Sequence, residues 1–246
     1  MPPRSRLLPS RPSRGPSVVV LGALVALLMV LAGCGGGSAK KDAGPSPAAV
    51  MAKAKKQFDA ARSVEVALAT TSVPSSGNGV LAATGVVTRA PAFKGDVKVV
   101  LSGLTATVPI TSVGGKVYAR LPLQTKFSVI NPKEYGAPDP AQFADSKVGL
   151  SSLLTKIQGL AQGKQVRSAG SVLTTYTGQL PGSAVKQIIP SADAGKKYAT
   201  VVGVDDSGHA QTVKITGPFF SGGGDVTYDA TFSSYDKPVT VTAPAS

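Results

Sequence analysis

"KGDVKVVLSGLTATVPITSVGGKVYAR", Lys94–Arg120, decides the fold class, because three strand-like runs follow one another with only glycine-containing turns between them. In the first run Val97, Val99 and Leu101 alternate with mostly polar residues, so they share one face of a strand. The last run alternates in the same way and places Val117 on its apolar side. Short alternating runs at this spacing predict an antiparallel meander with one apolar face.

The same pattern continues on both sides of this stretch. Before it, "VEVALATT" places Val66 and Leu68 on one face, and "GVVTR" follows. After it come "SVLTTYTGQL", "KKYATVVGVDDSGHAQTVKITG" and "DVTYDATFSSY", of which the second predicts a hairpin that turns at Asp206–Gly208. The sheet is therefore expected to be large and mostly antiparallel.

Three helices are predicted around the strands. Ser46 and Pro47 supply an N-cap and a first-turn proline for a helix that runs to about Ala61. "PGSAVKQIIP" predicts another short helix between two prolines. A third is predicted from an almost uncharged apolar stripe at helical spacing, formed by Leu150, Leu153, Leu154, Ile157 and Leu160. The order of elements indicates one domain of about 200 residues.

The N-terminal segment has the features of a secretion signal. Four arginines precede an apolar run, residues 18–32, with no acidic residue among them. This run is shorter than the roughly 20 residues that a membrane-spanning helix needs. It ends at Leu31-Ala32-Gly33-Cys34, which contains the only cysteine of the chain.

This tetrapeptide resembles the lipobox of bacterial lipoproteins, in which a diacylglyceryl group is attached to the thiol. The resemblance implies that residues 1–33 are cleaved, that 34–47 form a lipidated flexible tether and that 48–246 form the folded domain. Two acyl chains are enough for stable anchoring to a membrane, which predicts an exported protein on the outer face of the cytoplasmic membrane. The alternative is an ordinary cleaved signal with an unmodified thiol nearby.

The net charge of +13 indicates contact with anionic partners or a solvated basic surface. Four of these charges belong to the predicted signal, which leaves 22 basic and 13 acidic residues and a net charge of +9. Several basic residues follow the predicted anchor, where each can add about 1 kcal/mol of attraction to an anionic bilayer. Neither an aromatic nor an arginine-rich groove pattern accompanies them, so no nucleic-acid partner is expected.

An enzyme is not expected from the chemistry-bearing residues. His209 is the only histidine and is predicted to be exposed beside a hairpin turn, which excludes a histidine-rich zinc site. Asp205 and Asp206 are adjacent and therefore point to opposite faces of a strand, where they cannot act together as a pair of catalytic carboxylates. "SGGGD", Ser221–Asp225, lacks the lysine and helix of a phosphate loop. No catalytic residue, metal site or cofactor is predicted.

Several blocks in a fixed order give a family resemblance: "KGDVKVVL", "KVYARLP", "YGAPDPAQF", "GQLPGSAVKQIIP" and "YDKPVTVTAPAS". Together with the lipobox they resemble the LppX/LprAFG family of actinobacterial lipoproteins, most of all its LprG-like branch. The resemblance implies an α+β fold related to the LolA and LolB carriers. In this fold a strongly curved antiparallel sheet, or half-open barrel, has helices packed on its concave face and encloses an apolar cavity.

Candidate cavity residues follow from the resemblance and from strand parity. Val97 matches a valine that lines the cavity of the family, and Val99 and Leu101 share its face. The remaining candidates come from the pattern of apolar residues alone: Val66, Leu68, Val117, Leu150, Leu153, Leu154 and Ile157. Each of these residues has an alternative role in an ordinary packed core.

The resemblance implies a membrane-anchored carrier that binds the acyl chains of a multi-acylated glycolipid or of triacylglycerol and carries them across the cell envelope. It also implies a partner, an efflux transporter of the major facilitator type. The alternative is a structural or adhesive envelope lipoprotein with a packed core and no carrier function. The residues alone leave this choice open, because an apolar sheet face covered by helices can either be filled or enclose space.

Overall fold

The computed structural model describes residues 44–70, 79–101, 103–135, 137–220 and 223–245. The predicted signal, Cys34 and most of the tether lie outside the described residues. Ala43–Ser246 form one compact unit, which contains every element and both hydrophobic cores presented below. None of the helices in the described ranges is long and apolar enough to cross a bilayer.

One antiparallel sheet of eleven strands dominates the described chain, which confirms the predicted meander and α+β class. Its spatial order is β6-β5-β4-β3-β2-β1-β11-β10-β9-β8-β7. The outermost strands β6 and β7 do not pair with each other, so the sheet is open. The strands are β1 (Ser63–Thr70), β2 (Gly79–Thr88), β3 (Ala92–Leu101), β4 (Leu104–Val113), β5 (Lys116–Ala119), β6 (Ser128–Ile130), β7 (Gln158–Ser168), β8 (Ser171–Pro181), β9 (Lys197–Val204), β10 (Ala210–Gly217) and β11 (Val226–Ser233).

The order of strands shows two consecutive meanders. Strands β1–β6 form one and β7–β11 form the other, and each strand pairs with its neighbours in the chain. A single long-range pairing, between β1 and β11, joins the two meanders. The predicted hairpin between β9 and β10 is confirmed, with Gly208 at a φ of +93° in its turn.

Helix α1 (Pro47–Ala60) begins where its capping residues predict. The hydroxyl of Ser46 accepts a hydrogen bond from Ala49 N at 3.3 Å, and Pro47 occupies the first turn. Helix α3 (Gly182–Ile188) also lies where it was predicted. Two short 3₁₀ helices, Pro132–Tyr135 and Pro140–Ala144, connect β6 to helix α2 (Leu150–Leu154).

The prediction that α2 continues through Ile157 and Leu160 is wrong. The helix ends at Leu154, and strand β7 begins at Gln158. Gly159 has a φ of +62°, outside the right-handed helical region. Strand β7 pairs with β8 through a turn at Ala169 and Gly170. This hairpin provides the backbone hydrogen bonds that the predicted helix would otherwise have formed. The apolar stripe is therefore divided: Leu150, Leu153 and Leu154 lie in the helix, Ile157 lies between helix and strand, and Leu160 lies in strand β7.

Helix α1 contacts both hydrophobic cores. The larger core contains Met51 of α1 and, on the strands, Tyr198 and Tyr228. The smaller one contains Phe58, whose ring meets that of Phe232 edge-on at 5.6 Å between centroids. A helix that packs into both cores fixes its position against the sheet along its whole length.

A polar connection ties α1 to α2. Asp59 accepts hydrogen bonds from the ammonium of Lys55 and, at 2.6 Å, from the buried hydroxyl of Ser151. Lys55 also donates to the carbonyl of Ser146, ahead of α2. Because each of these groups has a partner, the contact between the two helices leaves no orphaned charge at this point.

Two glycines lie opposite each other where β2 meets β3. Gly85 and Gly95 are paired, and the ring of Phe93 lies against both. A Cβ at Gly95 would come within 2.1 Å of the carbonyl oxygen of Thr84 and 2.5 Å of the Gly85 Cα. The strands can therefore approach this closely only if both side chains are absent.

We expect Gly95→Ala to lower the free energy of unfolding by roughly 2 to 3 kcal/mol, because the new methyl group meets backbone atoms that cannot move aside. Chemical denaturation measures this loss. Gly224→Ala is the matched control, since no atom lies within 4 Å of its Cβ position and its φ is not positive. Equal stability of the two variants would contradict the close approach of β2 and β3.

Candidate functional site

A pocket of about 630 Å³ lies between one face of the sheet and the helices. Its volume falls in the range of roughly 300–1,000 Å³ that is typical of small-molecule sites. Eight adjacent strands, from β6 to β10 in the spatial order, contribute residues to its wall. The pocket is the main candidate for a binding site in the described chain.

The floor of the pocket is a row of paired residues that crosses six strands. Each residue in the row is the registered partner of the next one, and all six line the pocket. Directly opposed residues in antiparallel strands project from the same face. Small alanines interrupt the larger side chains and leave space above the middle of the sheet. From β10 to β4 the row is Val213, Ala230, Leu68, Ala83, Val97 and Val108.

Helices form the opposite wall. Leu150, Leu153 and Leu154 of α2 line the pocket together with Phe58 of α1. Val185 and Ile188 of α3 extend this wall, and most of these side chains also contact the cores. The wall is thus attached to the rest of the domain through the same side chains that line the pocket.

The polar groups in the inner part of the pocket already have protein partners. The hydroxyl of Tyr228 donates to the carbonyl of Val80 at 2.6 Å, and that of Ser151 donates to Asp59. Burial raises the pKa of Tyr228 to about 12. A polar ligand group would find few unpaired donors or acceptors here, which favours an apolar ligand.

Exposed lining residues mark the mouth of the pocket. Glu134 and Tyr135 lie in the 3₁₀ helix after β6, and Pro122 lies in the loop before β6. Pro190 and Ser191 follow α3 and are also exposed. Tyr135 is 45% exposed. Most of the polar lining residues, Glu134, Tyr135 and Ser191, are thus exposed, whereas most of the apolar lining residues are not.

The structure brings most of the predicted cavity residues together. Ile157 is an exception: it is buried in the larger core and lies against Gly178 of β8, because the chain has left the helix before this position. The side chain of Leu101 and all of Cys34 lie outside the described residues. The candidates that line the pocket are Val66, Leu68, Val97, Val99, Val117, Leu150, Leu153 and Leu154.

Many lining residues on β2, β4, β10 and β11 were not predicted from the sequence. Strand alternation indicates some of them, because "TATVPITSV" and "TYDATF" alternate in the same way as the strands that contain Val66 and Val97. What the sequence lacks is the register that places Val108, Val213 and Ala230 in the same row as Val97. The sequence predicts helix α3 but not its contribution to the pocket.

The sequence predicted an exposed hairpin histidine at position 209, but the structure shows one that is only partly exposed. Its side chain is 28% exposed, and its ring lies 4.5 Å from that of Tyr235. Burial alone would raise the pKa of Asp205, but hydrogen bonds from His209 N and Gln211 Nε2 outweigh this effect and lower the pKa. His209 lies outside the pocket lining. Within the described ranges no group of three histidine, cysteine or carboxylate side chains is placed to hold a metal.

Comparison with known proteins identifies similarities at the family and fold levels. The model of the LppX_LprAFG lipoprotein family matches residues 46–241. A search of curated protein sequences finds no match.

Two solved structures share the fold. LprF from Mycobacterium bovis is 17% identical, with a TM-score of 0.68 over 82% of this chain and 98% of that one. LppX from Mycobacterium tuberculosis is 23% identical, with a TM-score of 0.60 over 81% of this chain and 100% of that one. At these identities the likeness shows the fold alone.

We expect the free energy of unfolding to fall as the pH rises from 10 to 12, by roughly 2 kcal/mol from Tyr228 alone. Over most of this window the phenol of Tyr228 is ionised in the unfolded chain, where its pKa is about 10, but protonated in the folded chain, where its pKa is about 12. Tyr228→Phe removes this contribution and makes the alkaline slope shallower. Urea denaturation at several pH values measures the slope, and an unchanged slope in the variant would contradict the buried phenol.

Proposed function

We propose that this chain, which belongs to the LppX_LprAFG lipoprotein family, binds the acyl chains of a lipid in the pocket between its sheet and its helices. Membership of a lipoprotein family makes it an exported, envelope-associated protein. Lipid binding, the identity of the lipid and its transfer are our proposals.

The observation that carries the proposal is the apolar lining of the pocket. The floor is a row of aliphatic side chains, the opposite wall is formed by leucines, and the inner hydroxyls of Ser151 and Tyr228 have protein partners. Each methylene transferred from water into such a site contributes about 0.8 kcal/mol. Ten methylenes would then contribute roughly 8 kcal/mol before the cost of ordering the chain.

A strongly curved sheet is part of the same proposal. Eight strands laid flat would span roughly 34 Å from the first to the last at about 4.8 Å between neighbours. One pocket of about 630 Å³ is lined by all eight. This supports a sheet that bends around the pocket as a half-open barrel, with the helices on the concave face.

The distribution of polar residues supports a cargo with several acyl chains and a head group left at the mouth. The apolar interior suits the chains, whereas the exposed lining residues Glu134 and Ser191 can contact a sugar or glycerol head. A multi-acylated glycolipid or triacylglycerol has this division of polarity. Transfer across the envelope and cooperation with an efflux transporter of the major facilitator type stay predictions from the family resemblance, as does the LprG-like branch.

The membrane anchor is proposed separately from the pocket. The lipobox sequence before Cys34 supports acylation of its thiol, and the tether that follows supports a domain free to move near the bilayer surface. The lipid attached to Cys34 and the lipid bound in the pocket are then two different molecules with different roles.

Native mass spectrometry of the protein purified from its own envelope tests the carrier proposal. We expect co-purifying lipid in the parent protein and a loss of at least about tenfold in Val97→Trp, because the indole would occupy the middle of the floor next to Ala83. Val166→Trp is the matched control, since Val166 is 43% exposed on β7 at the edge of the sheet.

Thermal unfolding of the same samples checks that both variants are folded. If Val97→Trp is unstable, Ala83→Phe fills the neighbouring position and replaces it. A folded parent protein that carries no lipid, or a folded blocking variant that carries as much as the parent, would favour a structural envelope protein over a carrier.

Replacement of the thiol tests the anchor. We expect Cys34→Ala, exported behind an ordinary cleavable signal, to move from the membrane to the soluble fraction, because no acyl chains are attached. The lipid content of the pocket should stay within about twofold of the parent, because Cys34 precedes the folded unit. Cell fractionation and native mass spectrometry measure the two properties independently, and loss of the pocket lipid would show that the two sites are coupled.

A further inference from the structure

The loop between β5 and β6 contains a tight turn with an unusual residue at its tip. Gln124 N donates to the carbonyl of Leu121 at 3.0 Å, and Pro122 occupies the second position. Leu123, in the third position, has a φ of +67°. A turn with proline second and a positive φ third is the type II pattern, which favours glycine or asparagine in the third position.

Two properties of Leu123 disfavour it at this position. A branched side chain is strained at a positive φ, where glycine is not. The side chain is also 105% exposed, the highest value among the exposed large hydrophobic residues of the described chain. Glycine would relieve both costs and complete the same turn. Neither local backbone geometry nor packing within the domain therefore explains the leucine.

The turn is part of the mouth of the pocket. Leu121 and Pro122, directly before Leu123, line the pocket. Tyr135, which is 45% exposed, lines it in the 3₁₀ helix that follows β6. Any binding partner that contacts Leu123 would therefore lie next to the opening of the pocket.

The surroundings of the turn are basic. Residues 118–127, which form the turn and its flanks, contain two basic side chains, Arg120 and Lys126, and no acidic one. The guanidinium of Arg120 lies 5.7 Å from the centre of the Phe127 ring, next to the turn. Arg120 and Lys126 are both exposed, whereas Lys116 and Lys133 lie at the other end of the β5–β6 pair. An exposed apolar tip among exposed cations matches the interface of an anionic bilayer, where apolar groups enter the acyl boundary and cations meet the phosphates.

We infer that the Leu121–Gln124 turn docks the mouth of the pocket on an anionic phospholipid bilayer, with Leu123 inserted below the head groups. A fluid bilayer accepts a single protruding side chain, whereas a protein partner would need a complementary hollow for it. The inference rests on the proposed carrier function for its purpose, since a mouth that faces the bilayer lets acyl chains pass without crossing water. It adds a second membrane contact, distant in sequence from the proposed anchor.

A fluorescent label at the tip tests insertion directly. The compact unit of residues 43–246 has no cysteine, so Leu123→Cys provides a single thiol for an environment-sensitive dye. With vesicles of equal parts phosphatidylcholine and phosphatidylglycerol, we expect a blue shift and a rise in emission. The same dye on Val166→Cys, on edge strand β7, should show no change. No change at position 123 overturns the inference.

Sedimentation with the same vesicles tests the side chain itself. We expect Leu123→Asp and Leu123→Gly to reduce binding by roughly fivefold or more, whereas Val166→Asp leaves it unchanged. Leu123→Gly should also keep or raise the thermal midpoint, because it relieves the positive φ. Wild-type binding by Leu123→Gly would mean that the leucine is not the inserting group, and equal binding to vesicles of phosphatidylcholine alone would overturn the anionic target.

Two readouts separate this inference from the proposed function. Leu123→Gly should retain its co-purified lipid, because Leu123 does not line the pocket. Val97→Trp should still bind vesicles. A protein that contains lipid but does not bind vesicles would refute the inference and leave the carrier proposal standing. A protein that binds vesicles but never contains lipid would refute the carrier proposal and leave the vesicle contact standing.

Discussion

The pairing of β1 with β11 is the contact on which the architecture depends. It joins residues more than 150 positions apart and places Val66 opposite Phe232 and Leu68 opposite Ala230. Without it the chain has two separate meanders, each with an uncovered apolar face. A slip of one residue in this register would turn the apolar face of one meander away from that of the other, because side chains alternate along a strand. The continuous floor of the pocket follows from this register.

Residue size then decides where the sheet is filled and where space remains. Alanines at positions 83 and 230 lower the floor between larger neighbours, whereas the ring of Phe93 covers the paired glycines 85 and 95. The helical wall is held in place by the two cores that α1 contacts and by the hydrogen bond from Ser151 to Asp59. Space can persist in a folded domain when its walls are supported in this way, because the lining side chains need not collapse to be buried.

Three lipid contacts are combined in the proposals for one chain. The acylated Cys34 would hold the protein at the membrane, the pocket would shelter the acyl chains of the cargo, and the turn with Leu123 would orient the mouth. Each uses a different physical device: covalent acyl chains, an apolar concave site, and a single exposed side chain among cations. The tether that the sequence predicts between Cys34 and α1 would make the first compatible with the third, because the domain could then change its orientation relative to the anchor.

The sequence by itself determined the local properties of the chain. Period-two alternation identified the apolar faces that contain Val66, Val97 and Val117, and the serine and proline before α1 specified its start. The blocks that resemble the LppX_LprAFG family identified the family correctly. These are properties of neighbouring residues, which is why they can be read without a fold.

Only the tertiary structure decided which faces meet and what lies between them. In the folded chain α2 ends at Leu154 and Ile157 lies in the core, because the residues that follow pair with β8 as strand β7 and do not continue the helix. It also gave Leu123 its positive φ and full exposure at the mouth. Register between distant strands, and the difference between a filled and an open interior, arise from contacts that no local pattern records.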